Sequence, residues 1–182
     1  MPREVKRLKE IGHIPREIAC GGDHSAVITE AGALVTWGSN QEGQLGFENL
    51  EAQMDFGIVK DLRGQRIVAV ACGYSHTVAV TEMGKVFSWG CSAYGQLGHG
   101  DTLTVRLPRV VEALVGHPIK SVACGASHTV AVDMEGMVWT WGLGEEGPPT
   151  RTRTLNGRPT RLRIAFFPKP CLLYTSPSPR DS

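Results

Sequence analysis

The chain has no apolar run of the roughly eighteen residues that a membrane-spanning helix needs, and its amino terminus lacks the basic-then-apolar pattern of a secretory signal. Neither a membrane partner nor export is indicated, and the expected location is intracellular, cytoplasmic or nuclear. Five cysteines are an odd number at no metal-ligand spacing, which speaks against a disulfide framework or a metal centre and for reduced thiols. A single-sign charge is also lacking. Residues 1–147 hold 12 Lys and Arg against 17 Asp and Glu, whereas residues 148–182 hold 7 against 1. The larger part is mildly acidic, so no direct nucleic-acid site is expected there. No ten-residue stretch of 1–147 carries a 3.6-residue apolar stripe, so helix is at most a minor component. The glycine-rich Gly95-Gln96-Leu97-Gly98-His99-Gly100 lacks a following Lys-Ser/Thr and opens no helix. The phosphate-loop and dinucleotide motifs are therefore unmet, and no cofactor is expected.

What is present is a repeat of 52 residues. Ala19-Cys20-Gly21 returns as Ala71-Cys72-Gly73 and Ala123-Cys124-Gly125, each with a histidine four positions after the cysteine: His24, His76 and His128. Seventeen residues after each cysteine stands a Trp-Gly pair, at Trp37, Trp89 and Trp141. Gly43, Gly95 and Gly147 keep the same step, as do Gly12, Gly64 and Gly116. Such a register signals an array of equivalent supersecondary units, in which a recurring residue is first a structural part.

Each unit reads as β-structure. Thr77 to Thr81 is short, apolar and β-branched, Glu82-Met83-Gly84 supplies a turn, and Lys85 to Trp89 follows, which is a hairpin signature. Ser25 to Thr29 with Ala33 to Trp37, and Thr129 to Asp133 with Met137 to Trp141, repeat it. A further apolar run precedes the hairpin at 67–71 and 119–123, while Lys60 to Arg63 and Glu112 to Val115 allow only a turn or two of helix. Three or four strands in about fifty residues is the arithmetic of a propeller blade.

The stretch Ala71-Cys72-Gly73-Tyr74-Ser75-His76-Thr77, then Gly84, Trp89-Gly90 and Tyr94-Gly95-Gln96-Leu97-Gly98-His99-Gly100, resembles the repeat of the regulator of chromosome condensation family. The first unit matches it through Asn40 to Gly46. The resemblance implies an all-β fold, a seven-bladed β-propeller of which this chain supplies about three blades. An incomplete propeller leaves strand edges unprotected, so the chain is expected to be a fragment of a longer protein. Domain 1–147 is the partial propeller. At Gly147 the pattern breaks into Pro148-Pro149-Thr150, and 148–182 is expected to be a disordered tail or the product of a frameshift with adapter sequence.

The recurring residues are weighed for chemistry. Histidines 24, 76 and 128 would need a converging third group for nucleophilic or metal chemistry, and the acid at Asp23 becomes Ser75 and Ser127 in the later units. One histidine per blade instead suggests a hydrogen bond to backbone within or between blades. Cys20, Cys72 and Cys124 are expected as one small buried side chain per unit, and Trp37, Trp89 and Trp141 as anchors between sheets whose indole N–H finds a local acceptor. The glycines are read as turn positions. No catalytic, cofactor-binding or metal residue is assigned. The function expected is a non-catalytic protein-interaction scaffold. As the resemblance implies, the alternatives are a guanine-nucleotide exchange factor for a Ran-type small GTPase, or the targeting propeller of a larger ubiquitin ligase or kinase. Exchange factors of this type are similar in using a protruding wedge hairpin, and the uniform spacing leaves no room for one in these units. Contact positions are expected where units differ, at Phe47 to Phe56 and His99 to Arg106.

Overall fold

The computed structural model describes Leu8 and residues 12–143. Eleven strands are described, in the order β1 Pro15–Cys20, β2 His24–Thr29, β3 Leu34–Gly38, β4 Gln53–Ile58, β5 Ile67–Cys72, β6 His76–Thr81, β7 Val86–Gly90, β8 Val105–Val110, β9 Ile119–Cys124, β10 His128–Asp133 and β11 Val138–Gly142. Single turns of 3-10 helix at Lys60–Leu62 and Glu112–Leu114 precede β5 and β9. The strands form antiparallel meanders: β1-β2-β3-β4, β5-β6-β7-β8, and the three described strands of a third, β9-β10-β11. The fold is all-β, an incomplete propeller of about three blades.

The hairpins expected from β-branched runs form with their first strands starting one residue earlier, at the histidine, and their second strands lying one residue later, closing on the glycine of each Trp-Gly pair. The fourth strands β4 and β8 correct a larger point. The segments expected to be variable loops are strand from Gln53 and from Val105 onward. Neither strand alternates cleanly, and Gly57 and Pro108 fall inside them, so propensity hid them. Pairing to the preceding Trp-bearing strand imposes the extended conformation, with Val35 opposite Ile58 and Phe87 opposite Val110.

Neighbouring sheets face each other. Strand β5 lies against β1 and β2, and β9 against β5 and β6, so β1, β5 and β9 form the innermost row. Between the first two blades Ala26, Ile28 and Leu34 meet Val70, Cys72, Ala79, Phe87 and Trp89, with Val59 and Leu62 of the linker closing the outer side. Between the second and third, Val78, Val80 and Val86 meet Ile119, Ala131 and Trp141, sealed by Val111 and Leu114. The period-2 alternation of a strand explains this: Val78 and Val80 point into one seam while Thr77 and Ala79 point into the other. The other side of the first blade packs Val27 and Val35 against Leu8, Trp37 and Phe56.

A bulge recurs at one register position. Pairing shifts between Pro15 and Glu17 and again between Ile67 and Ala69, leaving Arg16 and Val68 as the extra residues. Bulges re-aim side chains, and Arg16 is turned across the seam to donate to the carbonyls of Ile67 and Val68 at 3.4 and 3.2 Å.

Candidate functional site

The recurring histidines, hydroxyls and tryptophans lie in the seams. Strand β2 ends the Gly21-Gly22-Asp23 turn with His24, whose Nε2 lies 2.9 Å from Thr77 Oγ1 on the next blade. Thr77 Oγ1 donates to the Gln44 carbonyl at 2.7 Å. A threonine has one hydroxyl proton, so Nε2 of His24 must be the donor in the first bond, which fixes the neutral Nε2–H tautomer. Trp89 Nε1 donates to the same Gln44 carbonyl at 2.9 Å, using its second lone pair. The next seam repeats the relay: His76 Nε2 is 3.1 Å from Thr129 Oγ1, which donates to the Gln96 carbonyl at 2.9 Å. There Trp141 Nε1 is buried without a partner.

Burial pushes His24 and His76 down to about 4, with Asp23 opposing the shift at His24 and the neighbouring histidines adding to it at His76. Both are neutral at physiological pH, as the tautomer requires. Their Nδ1 atoms are buried and unpaired, and they pack over the preceding glycine. A Cβ on Gly21 would lie 2.6 Å from His24 Nδ1, and one on Gly73 would collide with the His76 ring. The Cys-Gly pair followed by histidine is thus a steric unit: only glycine lets the imidazole fold back over its own turn. His128 is exposed, because no described residue stands where Thr77 and Thr129 stand for the other two.

The cysteines do not behave alike. Cys72 is buried, Cys124 half-buried and Cys20 exposed. This corrects the expectation of one buried thiol per unit: in each case the covering atoms come from the preceding blade, and none is described ahead of β1. Desolvation pushes the Cys72 thiol up and raises Cys124 to about 12. Trp89 and Trp141 wedge between sheets, whereas Trp37 sits edge-on to Phe56 at a ring separation of 4.9 Å. Trp139 donates to Asp133 Oδ2 at 3.0 Å. Gly43 and Gly95 hold left-handed conformations at φ 77° and 73° in the loops that follow the tryptophans. Gly147 and the segment 148–182 lie outside the described residues. Among the described residues no cluster of His, Cys, Asp or Glu is arranged to hold a metal ion, and no helix is long and apolar enough to cross a membrane.

The repeat pattern leads to the expectation that each histidine bonds backbone within or between blades; for His24 and His76 the bond does run between blades, but to a side-chain hydroxyl rather than to backbone. The signal was available: His24 and Thr77 are 53 positions apart, one more than the period. Gln44 and Gln96 were missed as relay acceptors. They also hold the loops, since Gln44 Oε1 accepts from the Glu42 N–H and Gln96 Oε1 from the Tyr94 N–H, both at 2.9 Å.

These loops gather at one end of the blades. The connections 21–23, 39–52, 73–75, 91–104 and 125–127 emerge there, and the tight hairpins and linkers at the other. Exposed at the first end are Tyr74, Tyr94, Leu50 and Leu103.

Sheets of this kind, joined as successive meanders by a recurring His-Thr-carbonyl relay, define a β-propeller built from sequence repeats. Models of the regulator of chromosome condensation (RCC1) repeat match residues 31–80 and 83–132, and in a second version residues 16–44, 67–96 and 119–147. The chain belongs to this family. It is 42% identical over 164 residues to the human probable E3 ubiquitin-protein ligase HERC4, covering 88% of this chain and 16% of the relative. It is 40% identical over 146 residues to the mouse secretion-regulating guanine nucleotide exchange factor, covering 79% of this chain and 31% of that protein. The crystal structure of Prp20p from Saccharomyces cerevisiae superposes with a TM-score of 0.65 at 29% identity, over 72% of this chain and 34% of Prp20p. The chain thus spans between 16% and 34% of each of these proteins.

Proposed function

We propose that the chain forms part of an intracellular, cytoplasmic or nuclear, protein-interaction propeller, with 1–147 as the repeat body, 148–182 outside the repeat, and no chemistry of its own. The observation that carries this reading is the division of labour among residues. The titratable groups that recur are held in the seams, His24 and His76 each spending Nε2 on the next blade's threonine. The long loops at one end carry residues that differ between units, such as Glu42 where the second unit has Tyr94. A scaffold with fixed seams and variable loops is how a binding surface is built. The test is affinity capture by the chain and by a version with only the exposed segments 48–52 and 102–104 replaced by Gly-Ser linkers, which leaves the seam residues Gln44 and Gln96 in place. Partners should be lost with the loops while thermal melting of the remaining body persists; retention of the same partners would overturn the reading.

Similarity to a guanine nucleotide exchange factor and to Prp20p supports a second reading, in which the partner is a small GTPase and the propeller stabilises its nucleotide-free form. Release of a fluorescent guanine nucleotide from a Ran-type GTPase distinguishes the two. Acceleration over the spontaneous rate would favour exchange, and binding without acceleration favours the scaffold. Similarity to HERC4 supports the targeting role, with the ligase chemistry outside this sequence.

A further inference from the structure

The loop end differs from the opposite end in charge as well as in shape. Its five connections carry Asp23, Glu42, Glu48, Glu51 and Asp101 and no Lys or Arg. The opposite connections, 30–33, 59–66, 82–85, 111–118 and 134–137, carry five acidic residues balanced by Lys60, Arg63, Arg66 and Lys85. Asp101 is answered by Arg109 at 3.9 Å, and Arg106, the second residue of β8, lies against Gly43. Among the described residues Asp23, Glu42, Glu48 and Glu51 make no salt bridge; they belong to the first blade, with Arg106 standing beside the loop that carries Glu42.

The same end carries exposed apolar side chains. Tyr74 is 62% and Leu103 67% exposed, with Tyr94 and Leu50 less so. The backbone that carries the tyrosines is hydrogen-bonded in place. Gly22 N–H donates to the Tyr74 carbonyl at 3.2 Å across the seam, and the Tyr94 N–H is held by Gln96. The Gln-fixed position that holds Tyr94 in the second blade holds Glu42 in the first. The repeat thus presents a different side chain from the same rigid mount in each blade. Exposed aromatics on a fixed backbone mark a protein-docking surface, and charge complementarity selects what docks. A guanidinium can stack on a tyrosine face and meet a carboxylate with its planar fork, which an ammonium does less well.

We propose that the loop end, through Tyr74 and Tyr94 together with Asp23, Glu42, Glu48 and Glu51 of the same end, docks an arginine-bearing segment of a partner protein. The proposal rests on the interaction reading above and assigns that partner its chemistry. The probe is a short fluorescein-labelled Arg/Gly/Ser peptide titrated with the full 182-residue chain, beside the same peptide with Lys or Glu in place of Arg. Affinity should fall in the order Arg, Lys, Glu. Tyr74→Ala with Tyr94→Ala, and separately Glu42→Lys, Glu48→Lys and Glu51→Lys together, should each weaken the Arg peptide about 10-fold or more. Reversing Glu30, Glu112 and Glu135 to Lys changes net charge equally at the other end and should alter affinity by less than about 2-fold. Equal losses from both triple reversals would overturn the proposal, as would binding of the Glu peptide as tightly as the Arg peptide. All these positions are exposed except Glu42, which is half-buried, and unchanged melting shows that each variant is folded. Those outcomes leave the interaction reading standing, whereas that reading falls on the loop-replacement experiment whatever the peptides do.

Discussion

The same residues occur on covered and on open faces of this protein, and their properties follow the cover. Trp89 is fully buried and hydrogen-bonded to the first blade, whereas Trp37, at the same repeat position, is half-buried against Phe56. His24 and His76 lie under a neighbouring blade, and His128 is exposed. Cys72 is buried and Cys20 is open to solvent. Val78 and Val80 are fully buried in the second blade, while their counterparts Val130 and Val132 are partly exposed. A repeat unit therefore carries two half-interfaces, and each acquires its stability from a neighbour. This is the nearest-neighbour energetics of repeat arrays, in which much of the free energy resides between units.

The largest expected contrast is between tryptophans. Trp89→Ala removes a filled seam and its indole bond and should cost about 3–5 kcal/mol in urea unfolding, while Trp37→Ala should cost clearly less. Equal losses would break the comparison, because they would place the energy in the blade and not in the seam.

Acid offers the second contrast. His24 and His76 titrate near 4 when folded against 6.5 when free. A folded value below the unfolded one means the unfolded chain binds more protons in that window. The contribution of each histidine is therefore fully present above pH 6.5 and is lost as the pH falls toward 4, by about 3 kcal/mol apiece. Stability curves measured across this window should flatten in the His24→Gln, His76→Gln variant. An unchanged slope would show that other groups carry the acid sensitivity.

A smaller effect is expected from the hydroxyls. Thr77→Val strands the His24 Nε2–H and leaves one acceptor lone pair of the Gln44 carbonyl unpaired, at about 1–3 kcal/mol. Ser25, at the same repeat position on the open side, should change stability by no more than about 0.5 kcal/mol when replaced by Ala. Chemical denaturation of the two variants side by side sharpens the comparison.

Thiol labelling perturbs the fold least. Cys20 should react with a maleimide at the rate of an exposed thiol, and Cys72 and Cys124 only as the seams open, since burial raises both thiols. Mass spectrometry of labelled peptides over time reads this directly. Equal rates at all three positions would mean that the seams open faster than the reagent reacts.

Much of the architecture was legible because the repeat samples one solution several times. The Trp-Gly strand ends, the hairpins around Gly32, Gly84 and Gly136, and the short helical turns at 60–62 and 112–114 all follow from local pattern. The outer strands β4 and β8 were not legible, since their residues lack alternation and only pairing extends them. The seam relay was half legible. Histidine, hydroxyl and glycine recur visibly, but that His24 reaches Thr77 rather than Ser25 depends on which sheets meet.

The sequence by itself determined the unit: its length, its turns, the glycines that let each imidazole fold back, and which side chains alternate to either face. These depend on local sterics and hydrogen bonding within a few residues, which recur wherever the motif recurs. Only the tertiary structure decided which copies of a residue are buried, neutral and bonded. Desolvation and cross-blade hydrogen bonds depend on atoms about one period away, so Cys20 and Cys72, or Trp37 and Trp89, share a repeat position and differ in environment.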